Sequence, residues 1–200
     1  MPRTKKQFEK IRENTKRTIL EAGLKLFAQK GFYATSISDI AKEAGVSKGL
    51  AYNYFSSKSE LVEAILELIL SLFEQYDILF KTVSDPYTIL ETIIKNTFKH
   101  LRENEEFWKL YTSFALQPEV SGKMKELFND VAVKFIKKIE KIFRQIGIKN
   151  TKAEAYYFGA LFDGISIDYL FNKETYPLNS VEKLFLKKYS KEELQKIISF

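Results

Sequence analysis

The run Thr35-Ser-Ile-Ser-Asp-Ile-Ala-Lys-Glu-Ala-Gly-Val-Ser-Lys-Gly-Leu-Ala-Tyr-Asn-Tyr-Phe55 limits the possible folds more than any other stretch of the chain. Ile37, Ile40, Ala41 and Ala44 recur at the spacing of an apolar stripe, so they share one face of a short helix. Gly45 follows, a residue able to take the positive φ that a helix end and a sharp turn require. Val46 gives the turn an apolar plug, and Ser47 is a good N-cap for a second helix. That helix carries Leu50, Ala51, Tyr54 and Phe55 as expected inward residues and leaves Lys48, Gly49, Tyr52 and Asn53 near its exposed amino-terminal side. Two short helices meeting at a tight turn form a helix-turn-helix, in which the first residues of the second helix meet base edges in a DNA major groove.

The distribution of charge agrees with that reading. Residues 1–60 hold twelve Lys and Arg against six Asp and Glu, which leaves +6, the formal net charge of the whole chain. Residues 61–200 are therefore neutral, and the excess positive charge travels with the helix-turn-helix. A basic segment is the electrostatic footprint of a polyanion, because neutralised phosphates release counterions.

The segment from about Thr15 to Glu63 resembles the DNA-binding domain of the TetR family (AcrR-like) of bacterial one-component repressors. The matching pieces are Ile19-Leu-Glu-Ala-Gly-Leu-Lys-Leu-Phe27, Gly31-Phe-Tyr-Ala-Thr35, Ile40-Ala-Lys-Glu-Ala-Gly-Val-Ser-Lys-Gly49, Tyr52-Asn-Tyr-Phe55 and Lys58-Ser-Glu-Leu61. Ala51 departs from the pattern, standing where such proteins usually place a larger aliphatic residue. The resemblance implies an all-α fold, with an N-terminal three-helix DNA-binding domain over residues 1–60 and a C-terminal helical ligand-binding and dimerisation domain over residues 61–200. It also implies that Lys48, Gly49, Tyr52 and Asn53 face the groove, while Thr35, Ser36, Ser47, Tyr54 and Lys58 stand near phosphates.

Almost every remaining segment reads as helix. The first helix is expected from about Asn14 to Lys30, with Ile19, Leu20, Gly23, Leu24 and Phe27 inward. Ser36 with Asp39 resembles a capping box, and Ser57-Lys-Ser-Glu60 is a full one for a long helix running to about Phe80. That helix is too long to end inside the small DNA-binding domain and is expected to bridge into the second. Asp85-Pro86 starts the next helix, since proline is tolerated at the first helical position. A short aromatic helix from Phe107 to Leu116 ends before Pro118. Then comes the clearest apolar period of the chain, from Met124, Leu127 and Phe128 to Ile146, closed by Gly147. Thr151-x-x-Glu154 opens a helix to about Phe171, and Ser190-x-x-Glu193 caps the last.

The helix from Thr151 to Phe171 is apolar on nearly every side, so it needs cover from its own core and from a second copy. Gly159, Ala160 and Gly164 permit close approach of another helix, and the segment Leu178 to Tyr189 is expected to join the contact. Asp163 is the odd polar member and would require a hydrogen bond or charge partner if buried. Aromatic residues concentrate in the same region. Trp108, Tyr111, Phe135, Tyr157 and Phe162 are candidate walls of a ligand pocket, to be weighed against simple core packing.

Other classes are poorly supported. His100 is the only histidine and has no Asp or Cys at triad-like spacing; there is no phosphate-cradling glycine loop, no metal-ligand spacing and no cysteine. No enzyme, cofactor or metal site is expected. No apolar stretch follows the basic start, and the longest apolar segments fall short of a membrane span, so a cytoplasmic protein is expected. The expected function is a transcriptional regulator, a ligand-responsive repressor binding a palindromic double-stranded operator as a homodimer and released by an apolar or aromatic small molecule. The alternative is a DNA-binding regulator without such an inducer, controlled by a protein partner.

Overall fold

Caps and turn residues set where the helices begin and end. The computed structural model describes residues 4–198, and within them the side chains of all but residues 69, 72–75, 119, 123–125, 127–130 and 132. The helices are α1 (Lys5–Lys30), α2 (Ile37–Glu43), α3 (Lys48–Tyr54), α4 (Lys58–Thr82), α5 (Pro86–Glu103), α6 (Glu105–Ala115), α7 (Pro118–Ile146), α8 (Thr151–Phe171), α9 (Leu178–Lys188) and α10 (Lys191–Ile198). No strand occurs among the described residues.

The chain divides into two compact units. The amino-terminal unit runs to Leu70 and takes in Lys109–Leu127; the other holds Ser71–Trp108 and the chain from Phe128 onward. Helices α4, α6 and α7 each cross from one unit to the other along the chain.

In the amino-terminal unit α1 buries Ile19, Leu20, Leu24 and Phe27, α2 buries Ile37, Ile40 and Ala41, and α4 adds Leu61, Val62, Ile65 and Leu66. Gly23 is the point of closest approach: a β-carbon there would stand 2.4 Å from Cδ2 of the fully buried Leu61. The strip 109–127 completes this unit. Phe114 is fully buried and stacks on Phe27 with ring centroids 5.8 Å apart. Gln117 Nε2 donates to Phe27 O (2.6 Å), its Oε1 accepts from Phe32 N (3.0 Å), and Ser113 Oγ donates to Ala28 O (3.1 Å). Ala28 O and Phe32 N, which the end of α1 leaves open, are satisfied in this way, while Phe27 O also accepts from Gly31 N.

One start and two caps differ from the sequence expectation. First, α1 begins at Lys5, because Thr4 and Gln7 form a reciprocal capping box that holds a further stretch of polar helix before Asn14. Second, α8 is capped by Asn150, whose Oδ1 accepts from Ala153 N, rather than by Thr151. Third, Glu60 closes its box on Ser56: the backbone N and hydroxyl of Ser56 both donate to Glu60 Oε2 at 2.7 Å, while Glu60 N donates to Ser57 Oγ. Of the expected apolar period of α7, the side chains of Met124, Leu127 and Phe128 lie outside the described residues, as do those of Leu72 and Phe73 in α4.

The second unit is built around rings. Phe158 on α8 meets Phe143, Phe162, Phe185 and Tyr189 with centroids 4.9–5.9 Å apart, mostly edge to face. Ile89, Leu90, Ile93, Ile94 and Phe98 of α5 form another wall of this core. Truncating a ring such as Phe158, 1% exposed, to alanine would cost about 3–5 kcal/mol. The buried Tyr189 hydroxyl is kept satisfied by donating to Glu154 Oε1 at 2.7 Å. Ion pairs join Arg102 to Glu182, Lys138 to Asp77 and Lys173 to Glu105.

Candidate nucleic-acid interface

The turn between α2 and α3 forms as its residues dictate. Gly45 takes φ +66°, Gly45 N donates to Lys42 O and Val46 N to Ala41 O, closing α2. Ser47 then caps α3 by accepting from Leu50 N at 3.2 Å. Ala51 and Phe55 turn inward and are fully buried, with Tyr54 half-buried beside them. Leu50 does not join them: it is 38% exposed, because α3 is only seven residues long and the pair four apart, Ala51 and Phe55, fills the space beneath it.

Lys48, Gly49, Tyr52 and Asn53 are all exposed along α3. The Lys48 ammonium lies 5.9 Å from the centroid of the Tyr52 ring. Among the described residues no hydrogen bond or ion pair engages the Lys48, Tyr52 or Asn53 side chain. Gly49 has negative φ, and a β-carbon added there would meet no atom within 4 Å. Neither backbone strain nor packing therefore demands glycine at that position.

Beside α3 lies an open concavity of about 330 Å³ lined by Tyr33, Ala34, Thr35, Ser36, Ile37, Tyr52, Ser56, Ser57 and Lys58. Its wall is rich in hydroxyls and carries one ammonium and no carboxylate. Lys58 is fixed in place: Nζ donates to Phe32 O (2.7 Å) and Tyr33 O (3.4 Å) and stands 4.5 Å over the Phe32 ring. No carboxylate pairs with it among the described residues, so its charge is available to an anion at the rim. Two nearby carboxylates are occupied locally. The hydroxyl and backbone N of Ser36 hold Asp39 below the ordinary carboxylate range, and those of Ser56 do the same for Glu60.

Thr35 is placed differently from its neighbours. It is 2% exposed, and its hydroxyl donates to Gly31 O (2.9 Å) and Leu26 O (3.3 Å), so what it contributes is the fixed shape of the turn. Ser36 and Ser47 are exposed N-caps. Tyr33, Ser56 and Ser57 line the same concavity and were not singled out from sequence as contact residues. The doubled serine before Lys58 was the available signal for two of them.

The five candidate ligand residues do not share one environment. Phe162 packs within the ring cluster of the second unit, 4.7 Å from Phe185, and Phe135 packs with Tyr76 and Phe80. Trp108 is half-buried against the same core, edge to face with Phe107. Tyr157 is 48% exposed, with the Lys188 ammonium 5.1 Å from its ring. Tyr111 belongs to the strip that completes the amino-terminal unit.

A helix-turn-helix joined to a second helical unit, with an unpaired lysine and an open glycine along its second helix, defines a class of helix-turn-helix regulators. Comparison with known proteins narrows it. Residues 19–65 match the model of the bacterial regulatory proteins of the tetR family. The transcriptional regulator HbdR of Aromatoleum sp. (strain CIB) is 41% identical over 66 residues, and AcrR of Shigella flexneri 37% over 84. These matches cover 33% and 41% of this chain, and the chain spans 29% and 39% of the length of those relatives. The regulator FadR of Bacillus subtilis, solved with stearoyl-CoA, superposes with a TM-score of 0.71 at 18% identity, covering 86% of this chain and 96% of that one. A regulator from Saccharomonospora viridis solved with choline gives 0.67 at 22%, covering 88% and 95%. The amino-terminal third of the chain is thus similar to the DNA-binding domain of the tetR family of bacterial regulatory proteins, and the chain shares its fold with these solved regulators.

Proposed function

We propose that the protein is a DNA-binding transcriptional regulator that reads a palindromic operator as a homodimer and releases it when a largely apolar small molecule occupies the second unit. The observation that carries the DNA-binding part is the row Lys48, Gly49, Tyr52 and Asn53, exposed and unengaged by hydrogen bonds or ion pairs, beside a concavity of hydroxyls and the fixed Lys58 cation. In this reading α3 enters the major groove, Asn53 pairs with adenine, and a backbone phosphate occupies the concavity against Lys58, Tyr33 and Tyr52. Gly49 lets the helix approach the bases without a side chain between them.

The dimer rests on the outward face of α8. Tyr156, Ala160, Gly164, Ile167 and Phe171 follow one another at helical spacing and are exposed, Phe171 by 77%, and Leu184 of α9 is 67% exposed. A contiguous apolar face of this kind marks an interface. Asp163 lies within it, and desolvation by its surroundings raises its carboxyl above the ordinary range. A two-fold contact there sets two recognition helices a helical turn of DNA apart, or a multiple of it.

The ligand part is supported by the small molecules held by proteins of similar fold, stearoyl-CoA in one and choline in another. The aromatic surroundings of Phe162, Phe135 and Trp108 and the neutral balance of residues 61–200 favour an apolar or aromatic compound over a polyanion. A ligand acts only through a preference for one arrangement of the chain over another.

The test is a mobility shift with DNA from upstream of the gene, titrated with salt. The expected result is a tight complex on an inverted repeat, with affinity falling steeply as salt rises. A screen of apolar compounds against that complex, with Trp108 fluorescence as reporter, tests release. A complex that no compound dissolves would move control to a protein partner.

A further inference from the structure

The part of α1 before Asn14 belongs to no hydrophobic core, yet it is ordered helix. From Thr4 to Asn14 every residue is exposed, and the stretch opens with a reciprocal Thr4–Gln7 capping box. Lys5, Lys6, Lys10 and Arg12 have no carboxylate partner among the described residues, whereas Arg17 is already paired with Glu21. Glu9 and Glu13 offset part of this charge and leave residues 4–16 at +3, a surplus of cations on a helix that buries nothing and is suited to a polyanion outside the unit.

The placement of its root narrows what that polyanion is. Lys16 stands 6.0 Å over the ring of Phe55, the residue that ends α3, and its charge also reaches Glu60 at the start of α4. The positively charged face therefore begins at the carboxy-terminal end of the recognition helix. Lys5 and Arg12 share that face with Lys16, eleven and four residues before it, with Glu9 between them, while Lys6 lies about a quarter turn and Lys10 about a third of a turn round. From Lys16 to Lys5 the helix extends about 16 Å. We propose that residues 4–16 form a rigid basic arm that lies against the phosphate backbone of duplex DNA outside the half-site read by α3, adding contacts that carry no sequence information. This rests on the DNA-binding reading above and extends it to a surface beyond the helix-turn-helix. Because the arm is a continuous helix with α1, it meets DNA without the ordering cost that a flexible tail of the same charge would carry. Its apolar side, Phe8 and Ile11, is two residues wide, narrow for a helix that lies in a lipid interface.

The experiment compares the full chain with the variant K5Q/K6Q/K10Q/R12Q, in which glutamine keeps the helix propensity. Binding to the upstream inverted-repeat duplex and to a 40-base-pair random-sequence duplex is measured by anisotropy from ~50 to ~300 mM KCl, with hydroxyl-radical footprints on the first. Each lost phosphate contact lowers the slope of log K against log salt by ~0.9. The expected result is a slope smaller by about two to four on both duplexes, an unchanged ratio between them, and loss of protection at the outer flanks. Circular dichroism and operator preference check that the helix-turn-helix is intact. Unchanged slope and footprint, in a wild-type chain that does bind DNA, overturn the arm and leave the DNA reading standing. Absence of any wild-type binding overturns both. Wild-type binding to vesicles of 30% anionic lipid that the variant loses, with the DNA slope unmoved, overturns it in favour of a membrane. Loss of DNA binding in F8S/I11S but not in the charge variant overturns it in favour of an apolar contact with another copy of the chain.

Discussion

A side chain at Gly49 would meet nothing within 4 Å, and its φ is one that any residue adopts. Glycine in a helix costs about 0.5–1 kcal/mol relative to alanine, somewhat less in the first turn. Gly49→Ala is therefore expected to stabilise the free protein by roughly 0.5 kcal/mol while weakening its DNA complex, a trade that thermal melting and a binding titration read separately. Gain of stability with unchanged binding would remove Gly49 from the interface. Asn53 and Lys58 separate along another axis. Asn53 has no structural bond to lose and alanine is the better helix former, so Asn53→Ala is expected not to lower melting and to relax preference at one operator position by about 1–3 kcal/mol. Equal loss on operator and random DNA would end its base-reading role. Lys58→Ala removes two bonds to loop carbonyls as well as a charge. It is expected to lower stability by about 1–2 kcal/mol and to weaken all sequences alike, with the salt slope reduced by about one.

Among the elements, what was legible in the sequence was local. Ser36 with Asp39, Ser47, Gly45, Asp85-Pro86 and Gly147 each fix a helix end through groups within a few residues, and each stands where the sequence places it. The start of α1 was signalled only by Thr4-x-x-Gln7, ahead of a polar run with no apolar period to follow. The attachment of 109–127 to the amino-terminal unit was not legible, because it depends on partners 85 to 90 residues apart: Gln117 with Phe32 and Phe27, and Ser113 with Ala28. That attachment gives α6 a role beside α4. Gln117 bonds the Phe32 backbone N, and Lys58 bonds the Phe32 carbonyl and covers its ring. Movement at the end of α6 is thus tied to the rim of the concavity through one residue. Gln117→Ala leaves a half-buried backbone N–H without its acceptor, at a cost of about 1–3 kcal/mol. It is expected to lower the melting temperature and to reduce the effect of any releasing ligand more than the DNA affinity itself. Full ligand response in that variant would return the coupling to α4 alone.

For the whole molecule the surface to test is α8, where neighbouring positions differ in what an introduced charge would report. Ile165 packs against the core of its own unit, so a charge there would damage folding as well as assembly. Ile167 is 46% exposed and Gly164 has open space around it, so both report on the outward face alone. A carboxylate at position 167 stands one helical turn from Asp163, whose own carboxyl is already raised by desolvation. Closing a two-fold interface over both would bury like charges in apolar surroundings, which costs several kcal/mol unless they neutralise. Ile167→Asp is therefore expected to sediment as a monomer at neutral pH, with its helical signal intact, and to regain dimer as the pH falls and the carboxylates protonate. The monomer is expected to keep weak, salt-sensitive binding to any duplex through α3 and to lose the preference for an inverted repeat, since a single recognition helix reads only one half-site. A tight dimer of Ile167→Asp at neutral pH would move the proposed interface away from α8, and with it the geometry proposed to require a palindromic operator.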